Sequence, residues 1–133
     1  MAVITPLTVR SINGPEVTEV RGYQVSDTTN EVSGTGDGAV HCVYLTNGAT
    51  LVGFTLSNGA TRNSGDHEQE QSGGGLWCEP LGAVASNCVL LGSAAVFGGG
   101  AYSGTLNNCT LSANLAVDGG GAYSSTLNNC LLT

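Results

Sequence analysis

Residues 98–118 read GGGAYSGTLNNCTLSANLAVD, and residues 119–133 continue with GGGAYSSTLNNCLLT. The second segment repeats the first, so the sequence has an internal period of 21 residues. Within each copy, apolar and polar residues alternate, and Gly and Asn interrupt the alternation. This pattern is typical of short strands joined by tight corners, and it predicts three strands in each copy.

Earlier parts of the chain fit the same frame. Residues 73–97 form a regular copy with four extra residues at the first corner. Residues 1–59 contain two diverged copies, in one of which Gly53 to Leu56 align with Asn108 to Leu111. The total is about five turns. The last turn stops after its third strand, and we expect both ends to be cuts rather than natural caps.

Stacked copies of one turn predict an all-β fold. We expect one domain over residues 1–133, a right-handed three-sided parallel β-helix of about five turns that is truncated at the ends. Neighbouring turns would pair as parallel strands about 4.8 Å apart, so that equivalent side chains form columns. The alternation places Leu106, Cys109 and Leu111 in the interior.

Composition and charge exclude several classes of partner. The chain of 133 residues has a net charge of −7, three arginines and no lysine. It therefore lacks a basic stripe, and we expect it to bind neither nucleic acid nor an anionic membrane surface. No apolar run is long enough for a membrane span or a signal peptide, so we expect no membrane insertion and no targeting signal in this chain.

The asparagines at the second corner form a predicted column. Asn87, Asn108 and Asn129 stand where the chain must bend sharply. Asn tolerates the left-handed backbone of such a bend better than other non-glycine residues. Stacked asparagines can also hydrogen-bond to one another along the column.

Cysteines occupy the next position of the repeat. Cys88, Cys109 and Cys130 are one period apart, and the chain contains no C-x-x-C motif. The column can be read as a metal or redox array, or as buried thiols that pack as small apolar groups. Vertical stacking leaves the thiols too far apart for a relaxed disulfide, and we expect the packing role and no cofactor.

Aromatic residues form the most prominent predicted surface feature. One follows each glycine triplet or its diverged equivalent, at Tyr44, Trp77, Tyr102 and Tyr123. If Val43 and Leu76 point inward, these rings lie outside on the first sheet. The column is either a stabilising aromatic ladder or a binding surface for sugars.

A polar segment without the repeat pattern, residues 60–72, separates the diverged turns from the regular turns. We expect it to be a loop that protrudes from one corner. Four of its side chains are weak candidates for a divalent cation site: Asp66, His67, Glu68 and Glu70. Carboxylates and imidazole are suitable ligands for such a cation. Their spacing matches no defined motif, so we expect a solvated loop and no metal. A second polar segment carries Asp27, Glu31 and Asp37.

Two stretches carry a family resemblance. GGGAY at residues 98–102 and LSAN at residues 111–114 resemble the GGAI and FxxN signatures of polymorphic outer-membrane-type β-helix repeats. Residues 7–59 are similar to the opening turns of right-handed β-helices in the pectate-lyase-like superfamily. The resemblance implies a bacterial extracellular or cell-surface location. That superfamily includes lyases, hydrolases, adhesins and spacers, so the resemblance implies the fold more than the function.

Catalysis has little support in the sequence. Lyases and hydrolases of that superfamily need a basic residue beside acids, or several carboxylates close together. Among the regular turns, the only acids are Glu79 and Asp118, and no lysine is present. His41 has no identifiable nucleophile nearby, and we expect a structural role for it.

The sequence therefore favours a structural or interaction module of a bacterial surface or secreted protein without catalytic activity of its own. We expect it to self-associate through the ends or faces of the solenoid. The alternative is a carbohydrate-binding or polysaccharide-lyase-like fragment that uses the aromatic column. A third hypothesis is that outward hydroxyl rows bind an ordered lattice such as ice, through Thr105, Thr126 and Thr110.

Overall fold

A computed structural model describes residues 1–26 and 29–133, which contain seventeen strands. The first turn contains β1 (Ala2–Val3), β2 (Thr8–Arg10) and β3 (Glu19–Arg21). The second contains β4 (Val43–Leu45), β5 (Thr50–Val52) and β6 (Thr55–Ser57). The third contains β7 (Leu76–Cys78), β8 (Val84–Ser86), β9 (Val89–Leu91) and β10 (Ala94–Phe97). The fourth contains β11 (Ala101–Tyr102), β12 (Thr105–Asn107), β13 (Thr110–Ser112) and β14 (Leu115–Asp118). The fifth contains β15 (Ala122–Tyr123), β16 (Thr126–Asn128) and β17 (Leu131–Leu132).

Fifteen of the seventeen strands form three sheets of five parallel strands, with one strand from each turn in each sheet. Sheet 1 has the order β1-β4-β7-β11-β15, sheet 2 the order β2-β5-β8-β12-β16, and sheet 3 the order β3-β6-β9-β13-β17. Every strand pairs with its equivalents in the adjacent turns. The chain is thus a right-handed three-sided parallel β-helix of five turns, which confirms the predicted fold.

The predicted register is also confirmed. Thr105 pairs with Thr126, 21 residues later, and Thr110 pairs with Val89, 21 residues earlier. The step from Trp77 to Tyr102 in sheet 1 is longer because four extra residues lie between β7 and β8. Equivalent side chains therefore stand directly above one another.

The core consists of inward columns that run the length of the solenoid. Alternation along each three-residue strand sends the middle side chain inward in sheets 2 and 3. The buried members of these columns include Leu51, Ala85 and Leu106 in sheet 2, and Leu56, Leu90 and Leu111 in sheet 3. Leu106 and Leu111 are therefore in the interior, as the sequence predicts.

Left-handed backbone conformations produce the corners. Asn87, Asn108 and Asn129 have φ angles of 52°, 53° and 53°, the conformation expected for them at the second corner. The glycine triplets serve another corner, where turns approach closely. A Cβ atom added to Gly99 would lie 2.4 Å from the carbonyl oxygen of Leu115, so only glycine fits there.

A short fourth ladder lies between sheet 3 and sheet 1, and we call it the corner ladder. It consists of the parallel strands β10 and β14, and a single bridge joins Ala60 of the second turn to Ala94. A second bridge joins Ser72 to Phe97. Residues 61–71 of the polar segment thus occupy, in the second turn, the place that Ala95 and Val96 occupy in the third turn. The sequence predicts three strands in each turn and does not predict this ladder.

A second, smaller apolar cluster lies beneath the corner ladder. It contains Val32, Ala60 and Ala94, with Ala39 packed against it. Residues 22–26 and 29–42 cover this side of the solenoid, where the Gln24 amide donates a hydrogen bond to the Gly92 carbonyl at 2.7 Å. This long segment of the first turn therefore packs against the side of the second and third turns.

Candidate functional site: the aromatic column and its flanking loop

The four aromatic residues form one continuous column on the outer face of sheet 1. The rings of Tyr44 and Trp77 have centroids 5.1 Å apart and planes inclined by 7°. Trp77 and Tyr102 are 6.1 Å apart, and Tyr102 and Tyr123 are 6.0 Å apart. Strand pairing produces this geometry, because the four residues are register partners on adjacent strands.

Stacking determines which parts of the rings face solvent. The planes of Trp77 and Tyr102 are inclined by only 19°, and those of Tyr102 and Tyr123 by 6°. Each inner ring therefore has a neighbouring ring over both of its faces. A sugar ring binds to the face of an aromatic ring, so the inner rings present mainly their edges to a ligand.

Glu79 anchors the lower end of the column. Its carboxylate accepts hydrogen bonds from the Tyr44 hydroxyl at 2.6 Å, the Thr46 hydroxyl at 2.9 Å and the Asn47 amide at 2.7 Å. These bonds lower the pKa of Glu79, with the Tyr44 bond as the largest cause. The same bond raises the pKa of Tyr44. Glu79 thus positions the ring of Tyr44, and both of its carboxylate oxygens accept hydrogen bonds.

The polar segment does not simply protrude from a corner, as the sequence suggests, because its middle folds back onto the aromatic column. The Trp77 indole N–H donates to the Glu68 carbonyl at 2.5 Å, and the His67 ring packs against Phe97 with centroids 5.6 Å apart. The Ser72 hydroxyl donates to the His67 carbonyl at 2.5 Å. The loop therefore lies beside the column and contacts its second ring.

This loop divides the outer face of sheet 1 into two clefts. The upper cleft has a volume of about 190 Å³ and is lined by His67, Glu68, Ser72, Phe97, Tyr102 and Tyr123. The lower cleft has a volume of about 310 Å³ and is lined by His41, Tyr44, Gln69, Trp77 and Glu79. Sequence reasoning did not identify Phe97 or Gln69 as part of this surface, because only the folded loop brings them to the column.

In each cleft the surroundings shift the pKa of one side chain so that its neutral form is favoured. Burial, and next the carboxylate of Glu68, raises the pKa of Tyr102. Burial and the N-terminal ammonium lower the pKa of His41. His41 therefore tends to be neutral, and it lies beside a carboxylate in the lower cleft.

The weak metal candidates of the loop contact one another and the backbone instead of converging on a point. Asp66 accepts hydrogen bonds from the amides of Glu68 and Gln69. Glu70 forms an ion pair with Arg62 at 2.7 Å and accepts from the Asp66 amide. Within residues 1–26 and 29–133, no three His, Cys, Asp or Glu side chains are grouped to hold a metal ion.

Arg62 also connects the two polar segments. Its guanidinium lies 3.0 Å from the Asp37 carboxylate. Both partners are largely exposed, so the ion pair contributes little to stability but orients the base of the loop. Of the other acids in this earlier segment, Asp27 lies outside the described residues.

The cysteine column is part of the second corner. The Cys109 thiol donates to the carbonyls of Asn107 at 3.3 Å and Ala85 at 3.6 Å. Cys88 and Cys130 repeat this pattern with the carbonyls two residues before them and one turn below. All five cysteines are free thiols. The carbonyls two residues before the cysteines also accept a backbone amide from the neighbouring turn, so the thiols add a second hydrogen bond at the corner.

Two asparagine columns stabilise the same corner. The Asn129 amide donates to Asn108 at 2.6 Å, and the adjacent Asn128 donates to Asn107 at 2.9 Å. The second column is outward on sheet 2 and was not predicted. In both columns the amide of the later turn donates to the oxygen of the earlier turn.

The threonines of the ice hypothesis lie on two different sheets. Thr105 and Thr126 belong to an outward column of sheet 2 that also contains Thr8, Thr50 and Val84. Thr110 belongs to a column of sheet 3. The hydroxyl row of sheet 2 is thus longer than the sequence alone suggests, and valine interrupts it.

No family model, curated protein or solved structure matches this chain. Among residues 1–26 and 29–133 there is no long, apolar helix of the kind that spans a membrane.

Proposed function

We propose that this chain is a structural and interaction module of a bacterial surface or secreted protein, without catalytic activity of its own. In this role the β-helix extends a larger assembly and presents repeated surfaces to a partner. The resemblance of its GGGAY and LSAN stretches to outer-membrane-type repeats and to the pectate-lyase-like superfamily supports the location. The proposed partner is a further β-helix surface, bound through the ends or faces of the solenoid.

One observation carries this proposal: two of the three faces have no ionisable outward side chain from the second turn to the fifth. In sheets 2 and 3 these positions hold Thr, Val, Ser, Asn and Leu: Thr50, Val52, Val84, Ser86, Thr105, Asn107, Thr126 and Asn128 in sheet 2, and Thr55, Ser57, Val89, Leu91, Thr110, Ser112 and Leu131 in sheet 3. General acid–base catalysis needs titratable groups. Residues of the first turn cover sheet 3 at Thr55 and Ser57. The outer faces of sheet 2 and of the third to fifth turns of sheet 3 suit packing against a partner.

The test of this proposal is the association state of the chain. Light scattering and sedimentation should show assembly that increases with protein concentration over the micromolar range and above. A strictly monomeric species at every concentration would contradict the interaction role. A hydrolytic or eliminating activity on any polysaccharide would contradict the absence of catalysis.

A second candidate function, binding of a neutral carbohydrate, is favoured by the two clefts beside the aromatic column. They combine ring edges with amide, imidazole and carboxylate groups, as sugar sites do. The Glu68 carboxylate in the lining of the upper cleft disfavours acidic polysaccharides there. The stacked faces of the inner rings argue for a ligand in a cleft instead of one on the column.

Glycan-array binding tests this candidate with two variants. Trp77→Ala and Tyr102→Ala should each remove binding to neutral glycans, because they open the lower and the upper cleft. Leu91→Ala, on the outer face of sheet 3, is the matched control and should bind as the wild type does. Absence of binding to every glycan on the array would refute the carbohydrate role.

A further inference from the structure

The upper cleft beside the aromatic column is lined by rings that meet at angles. Phe97 and Tyr123 have centroids 5.5 Å apart and planes inclined by 56°. His67 and Phe97 have centroids 5.6 Å apart and planes inclined by 45°. Tilted rings leave a wedge between their faces, whereas the parallel rings of Tyr102 and Tyr123 cover one another. Around Phe97 the cleft therefore presents parts of aromatic faces as well as ring edges.

A carboxylate without a cationic partner completes this lining. The carboxylate of Glu68 forms no ion pair and accepts no hydrogen bond within the part of the chain that the structure describes. Asp118 is the register partner of Phe97 one turn later in the corner ladder, and its carboxylate is equally unpaired there. Burial is the largest cause of the raised pKa of Tyr102, and the carboxylates of Glu68 and Asp66 add to it. The negative field of these acids therefore reaches the cleft.

The basic side chains of the chain are all placed or engaged elsewhere. The sequence contains no lysine and three arginines. Arg10 and Arg21 lie on the outer faces of sheets 2 and 3 in the first turn, and Arg62 forms ion pairs with Asp37 and Glu70. The net charge of −7 adds to the field of the local carboxylates. The rings and the carboxylate therefore suit a positively charged group that a ligand supplies.

The chemistry of the lining determines which kind of cation fits. A metal ion needs several oxygen ligands, and the described residues contain no group of three acids, histidines or cysteines that could hold one. A primary ammonium or a guanidinium needs acceptors on several sides, and the described lining offers one carboxylate, that of Glu68. A quaternary ammonium donates no hydrogen bond, and its methyl groups pack on ring faces. The cleft volume of about 190 Å³ lies below the range for drug-sized ligands and suits one such group.

We propose that the upper cleft binds a quaternary ammonium group, held by the faces of Phe97 and its tilted neighbours and by the carboxylate of Glu68. All of its lining residues except Tyr123 belong to the loop and to the third and fourth turns, so the site lies within the stack of turns. A small molecule such as choline or a trimethylated lysine side chain can carry the group. A phosphocholine headgroup fits less well, because its phosphate would lie near the same carboxylates. This inference goes beyond the proposed interaction role and does not depend on it.

Titrations of the isotope-labelled full chain, followed by nuclear magnetic resonance, test the site with matched ligands. Choline should bind saturably, with a dissociation constant of roughly a millimolar or below, and should shift the ring signals of Phe97 and Tyr102. Its neutral analogue 3,3-dimethylbutan-1-ol has carbon in place of nitrogen and should bind at least about threefold more weakly, since it lacks the charge. A peptide that carries trimethyllysine is the second probe. The tighter of choline and the peptide identifies the source of the group.

Two variants remove the ring face and the charge separately. Phe97→Leu keeps an apolar side chain without a π face, and Glu68→Gln keeps the shape of the side chain and the backbone carbonyl that accepts the Trp77 indole N–H. Each variant should weaken choline binding by about three- to thirtyfold. Glu16→Gln and Tyr23→Leu make corresponding changes at exposed positions of the first turn and should bind choline as the wild type does.

The contrary outcomes would each overturn the inference. Equal binding of choline and its neutral analogue would show an apolar cleft without preference for a charge. Unchanged choline binding in both variants would show that the ligand binds elsewhere, and no saturable binding of either probe would show that the site does not exist. Because Phe97 is half-buried, circular dichroism must first show that Phe97→Leu is folded; Glu68→Gln, in the exposed loop, tests the site independently. Light scattering tests the interaction role separately, so the failure of one leaves the other standing.

Discussion

Two adjacent leucines on one strand provide a sensitive test of the inward and outward assignment. Leu90 and Leu91 are both in β9, but Leu90 is fully buried and Leu91 is 42% exposed. Leu90 lies between Leu56 and Leu111 in its column. Leu91 lies between two serines on the outer face. The same substitution, Leu→Ala, therefore removes the same atoms from opposite sides of one sheet.

The expected magnitudes differ severalfold. Deleting a buried leucine side chain costs about 3–4 kcal/mol, because the fixed spacing of the turns prevents the cavity from collapsing. At Leu91 the loss should be below about 1 kcal/mol, since that side chain gives up little buried area. Leu90→Ala should lower the midpoint of thermal unfolding by roughly 10–15 °C.

Urea unfolding followed by circular dichroism measures both variants. The free energy of unfolding should fall by the amounts above, with an unchanged dependence on urea concentration. Equal losses for the two variants, or a larger loss for Leu91→Ala, would refute the assignment of the inward face.

Three further predictions concern the corner, the loop and the thiols. Asn108→Ala should cost about 1–2 kcal/mol beyond Asn108→Gly in urea unfolding, since only glycine is free of strain at its φ of 53°; equal stability of the two variants would contradict the left-handed corner. Replacing residues 61–71 by Ala-Val should leave the solenoid folded, because the bridged rung needs only two residues there, and should shift the emission of Trp77 to the red. An unchanged emission spectrum would show that the loop does not contact the indole. Burial raises the pKa of Cys42 to about 11 and that of Cys78 to about 12, so stability should be complete below the ordinary thiol pKa of 9.0 and fall as the pH rises towards 11–12. Cys78→Ala should reduce this alkaline loss relative to wild type, and an identical pH profile would contradict the buried thiol.

The repeat predicted the sheets and columns because side-chain alternation and turn spacing are local properties of the sequence. Thr105 and Thr126 are equivalent in the sequence and are register partners in the structure. Even the diverged second turn was aligned correctly, because Gly53 and Asn108 serve the same left-handed corner. Such features need only the residues of one turn and its copy.

The corner ladder and the folded loop were not predicted because they depend on contacts without a repeat. β10 and β14 occur in only two turns, so stacking gives little sequence signal for them. The position of the loop depends on single contacts, such as the hydrogen bond from Trp77 to the Glu68 carbonyl. The clefts beside the aromatic column follow from this loop and could not be derived from the aromatic spacing alone.

Nuclear Overhauser effects between backbone protons of Leu106 and Leu127, in isotope-labelled protein, would measure the stacking of the turns directly. The parallel register predicts cross-peaks that link Leu106 to Leu127 in the next turn and to Ala85 in the preceding turn. A further cross-peak should link Thr105 to Thr126. Cross-peaks that pair the two GGGAY segments in antiparallel order, or none between positions 21 residues apart, would contradict the solenoid.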